Sequence, residues 1–126
     1  MTSTYAPDAN FTGATAVGTN LDFSELMNDK LDGVDFRGAT LHGANLHGAS
    51  LRNANLSINR SVLPGAVSGR VDLSQAELGE ADLTGANLTG ANTTNWNIFN
   101  AHFENTTCPD GSVVVKAAVG PGLCGG

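Results

Sequence analysis

The 126-residue sequence predicts one all-β domain made of very short strands and regular corners, and three observations carry that prediction. Large apolar residues recur at every fifth position: ten slots from Phe11 to Leu56 hold nine of them, Ala16 being the exception. After a slip of two residues the phase resumes at Leu63 and runs to Phe103, giving nineteen slots that take 16 of the chain's 20 Leu, Ile and Phe residues. The position two before the slot is Ala in twelve of the nineteen repeats, with Thr19, Ser24 and Ser61 as further small residues. Gly stands two residues after the slot at nine places between Gly13 and Gly90. A period of five fits neither the 3.6 of a helix nor the 2 of a flat strand. Two inward positions two apart do make a very short strand, and Gly supplies the bend after it. One repeat is therefore one side and one corner.

Composition narrows the functional classes. Charged residues make up only 14%, against roughly 25% in an average globular domain. The net charge of −6 and pI near 4.7 argue against direct nucleic-acid binding, which needs clustered Lys and Arg to neutralise phosphates. No apolar run approaches the ~18 residues of a membrane span, so no membrane span is expected. The first 20 residues lack the basic start and apolar stretch of an export signal.

Residues 1–8 form a short polar lead-in, and the repeats occupy 9–105. Within them, the runs Gly-Ala-Asn-Leu-His at 43–47, Glu-Ala-Asp-Leu-Thr at 80–84 and Gly-Ala-Asn-Leu-Thr at 85–89 resemble the Ala-(Asp/Asn)-Leu-x-x motif of the pentapeptide-repeat family. The resemblance covers more than three quarters of the chain. It implies a right-handed quadrilateral (four-sided) β-helix with four repeats per coil, just under five coils, and a rod about 24 Å long at strand spacing. Carrying the two-residue slip along the chain stacks Leu21, Leu41, Leu63, Leu83 and Phe103 in one row, and Phe11, Leu31, Leu51, Leu73 and Thr93 in another.

Four departures stand out. A two-residue insertion near 57–62 predicts a bulge or loop at one corner, followed by a turn at Pro64-Gly65. Asp29 falls in a small inward slot; the surrounding 23–30 segment is compatible with a short helix capped by Ser24, but Leu21, Leu26 and Leu31 hold phase and predict continuous coil. Trp96, Ile98, Phe99 and Phe103 concentrate apolar bulk at the last coil, to close the core or to form a contact patch. Residues 106–126 leave the repeat and predict a C-terminal cap, with turns at Cys108-Pro109-Asp110-Gly111 and Gly120-Pro121-Gly122 around a short strand at 113–115. The only two cysteines, Cys108 and Cys124, lie in this tail. A disulfide between them would contribute about 3 kcal/mol on the loop-entropy account and favours an extracytoplasmic or secreted home.

Chemistry is sparse. No Ser, His and carboxylate converge along the repeat, no Gly-rich phosphate motif is present, and a filled core leaves no cleft. Asp22, His42 and His47 project from neighbouring outer positions, where solvated variable residues rather than a metal site are expected. The reading is a non-enzyme with no cofactor, no metal and no small-molecule ligand. The sequons at Asn10, Asn55, Asn92 and Asn105 follow from the repeat, whose polar slot favours Asn and whose slot two later favours Ser or Thr. Two functions remain. One is a structural or protein-interaction scaffold that binds an unknown protein partner or self-associates through its ends into dimers or filaments, with Phe11, Trp96, Ile98 and Phe99 as the candidate end interface. The other, implied by the resemblance to topoisomerase-protecting members of the family, is an acidic DNA mimic that binds DNA gyrase. Asp22, Asp32, Asp35, Asp72, Glu77, Glu80 and Asp82 supply its outward acid, while Arg37, Arg52 and Arg70 interrupt it and the rod is short for that role.

Overall fold

The computed structural model describes residues 8–60, 69–120 and 122–125. Its wall is made of parallel bridges one residue wide. Asn10 pairs with Lys30, Thr15 with Asp35, Asn20 with Thr40 and Glu25 with Asn45, and the same register recurs up to Asn87 with Thr107. Ten of the fourteen parallel bridges among the described residues join residues twenty apart and the other four join residues 32 apart; together they fall into four columns, headed by Asn10, Thr15, Asn20 and Glu25, and the chain winds as a β-helix. Most repeats close their corner with an N–H donated to the carbonyl three residues back, as from Ala14 to Phe11 (2.9 Å) and from Ala44 to Leu41 (3.0 Å), whereas at the Leu56 corner the Asn59 N–H donates to Gly69 instead. The corner residue has positive φ, which Gly adopts without a Cβ clash. Phe23 (φ 58°) and Glu80 (φ 60°) take the same conformation, at a cost on the order of 1 kcal/mol each.

Up to Phe103 the residue after a parallel bridge points inward and is large except at Ala16 and Thr93; the residue before it points inward and is small except at Asp29 and Trp96. Leu41, Leu73, Leu83 and Leu88 are fully buried, as are Ala39, Ala44, Ala81 and Ala86. Each buried Leu contributes roughly 2 kcal/mol of transfer free energy, and the small partner lets opposite walls approach closely.

The register corrects the predicted stacks. Leu41 N–H donates to the Asp72 carbonyl (2.7 Å) and Thr40 bridges Asp72. Leu73 therefore stands over Leu41 in the row Leu21, Leu41, Leu73, Thr93, while the Phe11 row continues as Leu31, Leu51, Leu83 and Phe103. Between Thr40 and Asp72 the spacing is 32 rather than 20, so twelve residues are inserted, not two. At its base Asn59 and Gly69 form an antiparallel bridge, with N–H to C=O distances of 2.7 and 2.9 Å. Leu63, which the sequence placed in a stack, and the Pro64-Gly65 turn lie outside the described residues.

No α-helix occurs among the described residues, and none is long and apolar enough to cross a membrane. Glu25 and Lys30 both bridge the next turn, so the 23–30 segment is continuous coil. At the C-terminal end four short strands build a lid: β1 (His102–Phe103), β2 (Thr106–Thr107), β3 (Val113–Val114) and β4 (Ala118–Val119). β4 pairs antiparallel with β1, placing Ala118 opposite Phe103, and β3 pairs antiparallel with β2. The coil persists beyond 105, because Thr107 bridges Asn87 and Gly90 N–H donates to the Pro109 carbonyl (2.9 Å). Cys108 occupies the large inward slot over Leu88 and is joined by a disulfide to Cys124, within the single 3-10 turn Leu123–Gly125.

Candidate functional site

The outer surface is a set of short polar ladders. At Asn10, Asn55, Asp72, Asp82, Asn87 and Asn92 the side-chain Oδ1 accepts both the N–H and the hydroxyl of the Ser or Thr two residues on, with O–H···O distances of 2.6–2.7 Å. This clasp gives the Asn-x-Ser/Thr spacing at Asn10, Asn55 and Asn92 a structural role. Asn105 differs: it is a corner residue with φ 52°, and the buried Thr106 hydroxyl beside it donates to the Leu83 carbonyl (2.8 Å). In the Glu25 column Glu and Asn alternate, and the amides of Asn45 and Asn97 donate to Glu25 (3.0 Å) and Glu77 (2.8 Å).

Charge divides between flanks. The segments 19–28, 39–48, 71–80 and 91–100, which carry the Asn20 and Glu25 columns, contain Asp22, Glu25, Asp72, Glu77 and Glu80 and no Lys or Arg. The opposite flank mixes signs and pairs them. Arg37 meets Asp35 at 2.7 Å and Arg52 meets Asp82 at 3.5 Å. The hydrogen bond from Arg37 holds the Asp35 carboxyl below its ordinary pKa. Burial pushes Asp82 upward, but bonds from Thr84 and the charges of Arg52 and His102 outweigh it and lower its pKa. The acidic residues named from sequence therefore do not form one surface, since Asp32, Asp35 and Asp82 lie on the paired flank.

One polar cluster escaped the sequence reading. His42 Nδ1 lies 2.7 Å from Ser74 Oγ, which donates to Asp72 Oδ1 at 2.6 Å. The proton order therefore runs from His42 through Ser74 to Asp72, the reverse of a serine activated by histidine. The Phe23 ring packs edge-on against His42, centroids 5.3 Å apart. Asp22 accepts the His42 backbone N–H (3.0 Å), while His47 faces Glu80 at 3.8 Å, so Asp22, His42 and His47 do not converge. Among the described residues no group of His, Cys, Asp and Glu is arranged to hold a metal ion.

The two ends differ. At the N-terminal end an apolar cavity of about 270 Å³ opens between Phe11, Ala14, Ala16, Thr19, Leu21 and the next turn's Val34 and Phe36. Phe11 is 40% exposed. Beside it Asp29 is buried; Oδ1 accepts the Ala9 N–H (2.7 Å), Oδ2 has no partner, and desolvation raises the carboxyl's pKa. The C-terminal end is shut. Trp96 and Ile98 are buried, with Trp96 edge-on to Phe103 at 6.4 Å and Gly120 against the Ile98 backbone. This corrects the candidate end interface: Phe11 and Phe99 are exposed, but Trp96 and Ile98 are buried, Ile98 against Gly120 of the tail.

Comparison with known proteins assigns the class. A family model for pentapeptide repeats matches eight copies over residues 30–57 and 69–105, leaving out residues 58–68. The chain belongs to the pentapeptide-repeat family, whose fold is a right-handed β-helix. Similar solved structures include the pentapeptide repeat protein Rfr23 from the cyanobacterium Cyanothece 51142, at 30% identity and a TM-score of 0.45 over 80% of this chain and 57% of that one. A pentapeptide repeat protein from the Arabidopsis thaliana thylakoid lumen is 30% identical, with a TM-score of 0.39 over 81% of this chain and 70% of that one. HetL, involved in heterocyst differentiation regulation in Nostoc sp. strain PCC 7120, is 28% identical, with a TM-score of 0.33 over 88% of this chain and 58% of that one. The chain thus spans under two thirds of the length of Rfr23 and HetL. No curated protein matches the sequence.

Proposed function

We propose that the protein is a non-catalytic interaction scaffold: a rigid rod with four flat sides and fewer than five coils, which presents fixed surfaces to protein partners. The observation that carries this reading is the filled interior. From Leu26 to Phe103 the centre is filled with apolar side chains from every column, and the polar cluster with catalytic residue types found among the described residues, His42–Ser74–Asp72, sits on the outer wall with its protons running the wrong way for nucleophile activation. A rigid wall whose outer side chains are clasped in place loses little entropy on binding. The Cys108–Cys124 bond supports an oxidising, extracytoplasmic home. A head-to-tail filament lacks support, since the tail covers the C-terminal coil. Photo-crosslinking from Glu77 and Thr94 on the acidic flank, in the cell of origin, tests the scaffold reading. A discrete protein adduct is expected, and no adduct from any side overturns it.

The flank free of Lys and Arg favours a second reading, the acidic gyrase-binding mimic implied for this family. Its test is a supercoiling assay. Inhibition by the protein that is lost in a Glu25→Gln, Asp72→Asn, Glu77→Gln variant supports the mimic, and no inhibition excludes it.

A further inference from the structure

We propose that the open N-terminal end docks an extended, basic peptide segment of another protein, with one large aliphatic side chain seated in the cavity. Three features of that end fit one occupant. The cavity exists because Ala16 stands in a slot whose column mates are Phe36, Leu56 and Leu88. At about 270 Å³ it falls below the roughly 300–1,000 Å³ of small-molecule pockets and suits a single side chain. The wall beside it is an unfinished sheet. Asn10, Thr15 and Asn20 each have one bridge among the described residues, toward the next turn, whereas Lys30, Asp35 and Thr40 have two. An added strand supplies main-chain hydrogen bonds to such an edge.

Charge then selects the partner. Residues 8–28 carry Asp8, Asp22 and Glu25 and no Lys, Arg or His; in the segment 29–38 Lys30 and Arg37 stand against Asp29, Asp32 and Asp35, and Arg37 is spent on Asp35. A second copy meeting this end would set one acidic rim against another, a juxtaposition that costs affinity. The far end cannot supply the strand, because β4 and the disulfide-linked tail cover it. Lysines flanking an aliphatic residue complement both the rim and the cavity.

The inference deepens the scaffold reading and rests on it, yet the two fail separately, since filling the mouth leaves both flanks intact. Fluorescence anisotropy of the intact protein is measured with a labelled Lys-Lys-Val-Leu-Val-Lys-Lys peptide. A glutamate-flanked counterpart and a Ser-Gly-Ser core serve as controls, and both are expected to bind at least about tenfold more weakly. Ala16→Leu restores the residue type of the column, so it folds, and it is expected to weaken the first peptide at least about tenfold. Absence of binding, equal binding of the lysine and glutamate peptides, or indifference to Ala16→Leu overturns the proposal. So does a concentration-dependent dimer in sedimentation that Ala16→Leu abolishes, which would place a second copy in the mouth.

Discussion

Phe11 and Phe103 occupy the same slot of the same column at opposite ends of the rod, yet Phe11 is 40% exposed and Phe103 is fully buried. Residue type and wall register are identical, so the difference comes from the neighbour beyond. Phe103 has Ala118 of β4 paired across it, while Phe11 has the next turn on one side alone among the described residues. In a stacked repeat, burial belongs to the contact between turns rather than to the residue. A charge in mid-stack should therefore be ruinous and the same charge at the open end tolerable. Leu83→Asp, between Leu51 and Phe103, is expected to cost roughly 4 kcal/mol or more. Phe11→Asp is expected to cost about 1 kcal/mol. Urea unfolding of both variants checks this, and equal losses would break the comparison.

Much of this architecture was legible because a five-residue period with a large and a small inward position has few solutions. The inward slots, the corners and the cap can all be read along the chain. The place of the insertion was legible but its length was not, and the reason is arithmetic. Twelve residues are two repeats plus two, so a period of five registers only the remainder. A faint signal existed: the residues before Leu63 and Ser68 are Val62 and Val67, where the repeat elsewhere places a polar residue such as Asn45 or Asp82. The candidate surfaces were less legible. The bond from His42 to Ser74 joins residues 32 apart and depends on that register. The packing of Ile98 against Gly120 depends on a tail that folds back antiparallel, which no periodicity announces.

The closed end can be opened and the open end closed, which sharpens the comparison from both sides. Reducing the Cys108–Cys124 bond removes a closure across a separation of 16 residues, and the expected loss is about 3 kcal/mol. Hydrogen exchange should localise it: amides of β1 and of the turn beneath, such as Leu83, lose protection, while Leu31 and Phe36 keep theirs. Uniform loss along the rod would mean that the ends are not independent. Conversely, Ala16→Leu fills the mouth where the column already carries Phe36 and Leu56, and the expected gain is about 1 kcal/mol.

The smallest expected effect concerns Asp29, which sits beside the open end in a slot that Ala49, Ala81 and Ala101 fill on later turns. Its Oδ2 is buried without a partner, and desolvation raises its pKa in the folded state. The folded protein thus holds this proton at pH values where the unfolded chain has released it. The burden on stability is full above the raised value, shrinks as pH falls through it, and vanishes below the ordinary aspartate value. Asp35 and Asp82 act in the opposite sense, because their lowered values give stability that is present above the ordinary range and lost as pH falls. Asp29→Ala removes the first effect and leaves the second. The variant is expected to be about 1 kcal/mol more stable at neutral pH, where the unpartnered oxygen is charged. The wild-type protein should close that gap as the pH is lowered through the raised value. A gap constant from neutral pH down to the ordinary aspartate range would show that Asp29 is solvated through the mouth, and that the N-terminal end is more open than Phe11 alone indicates.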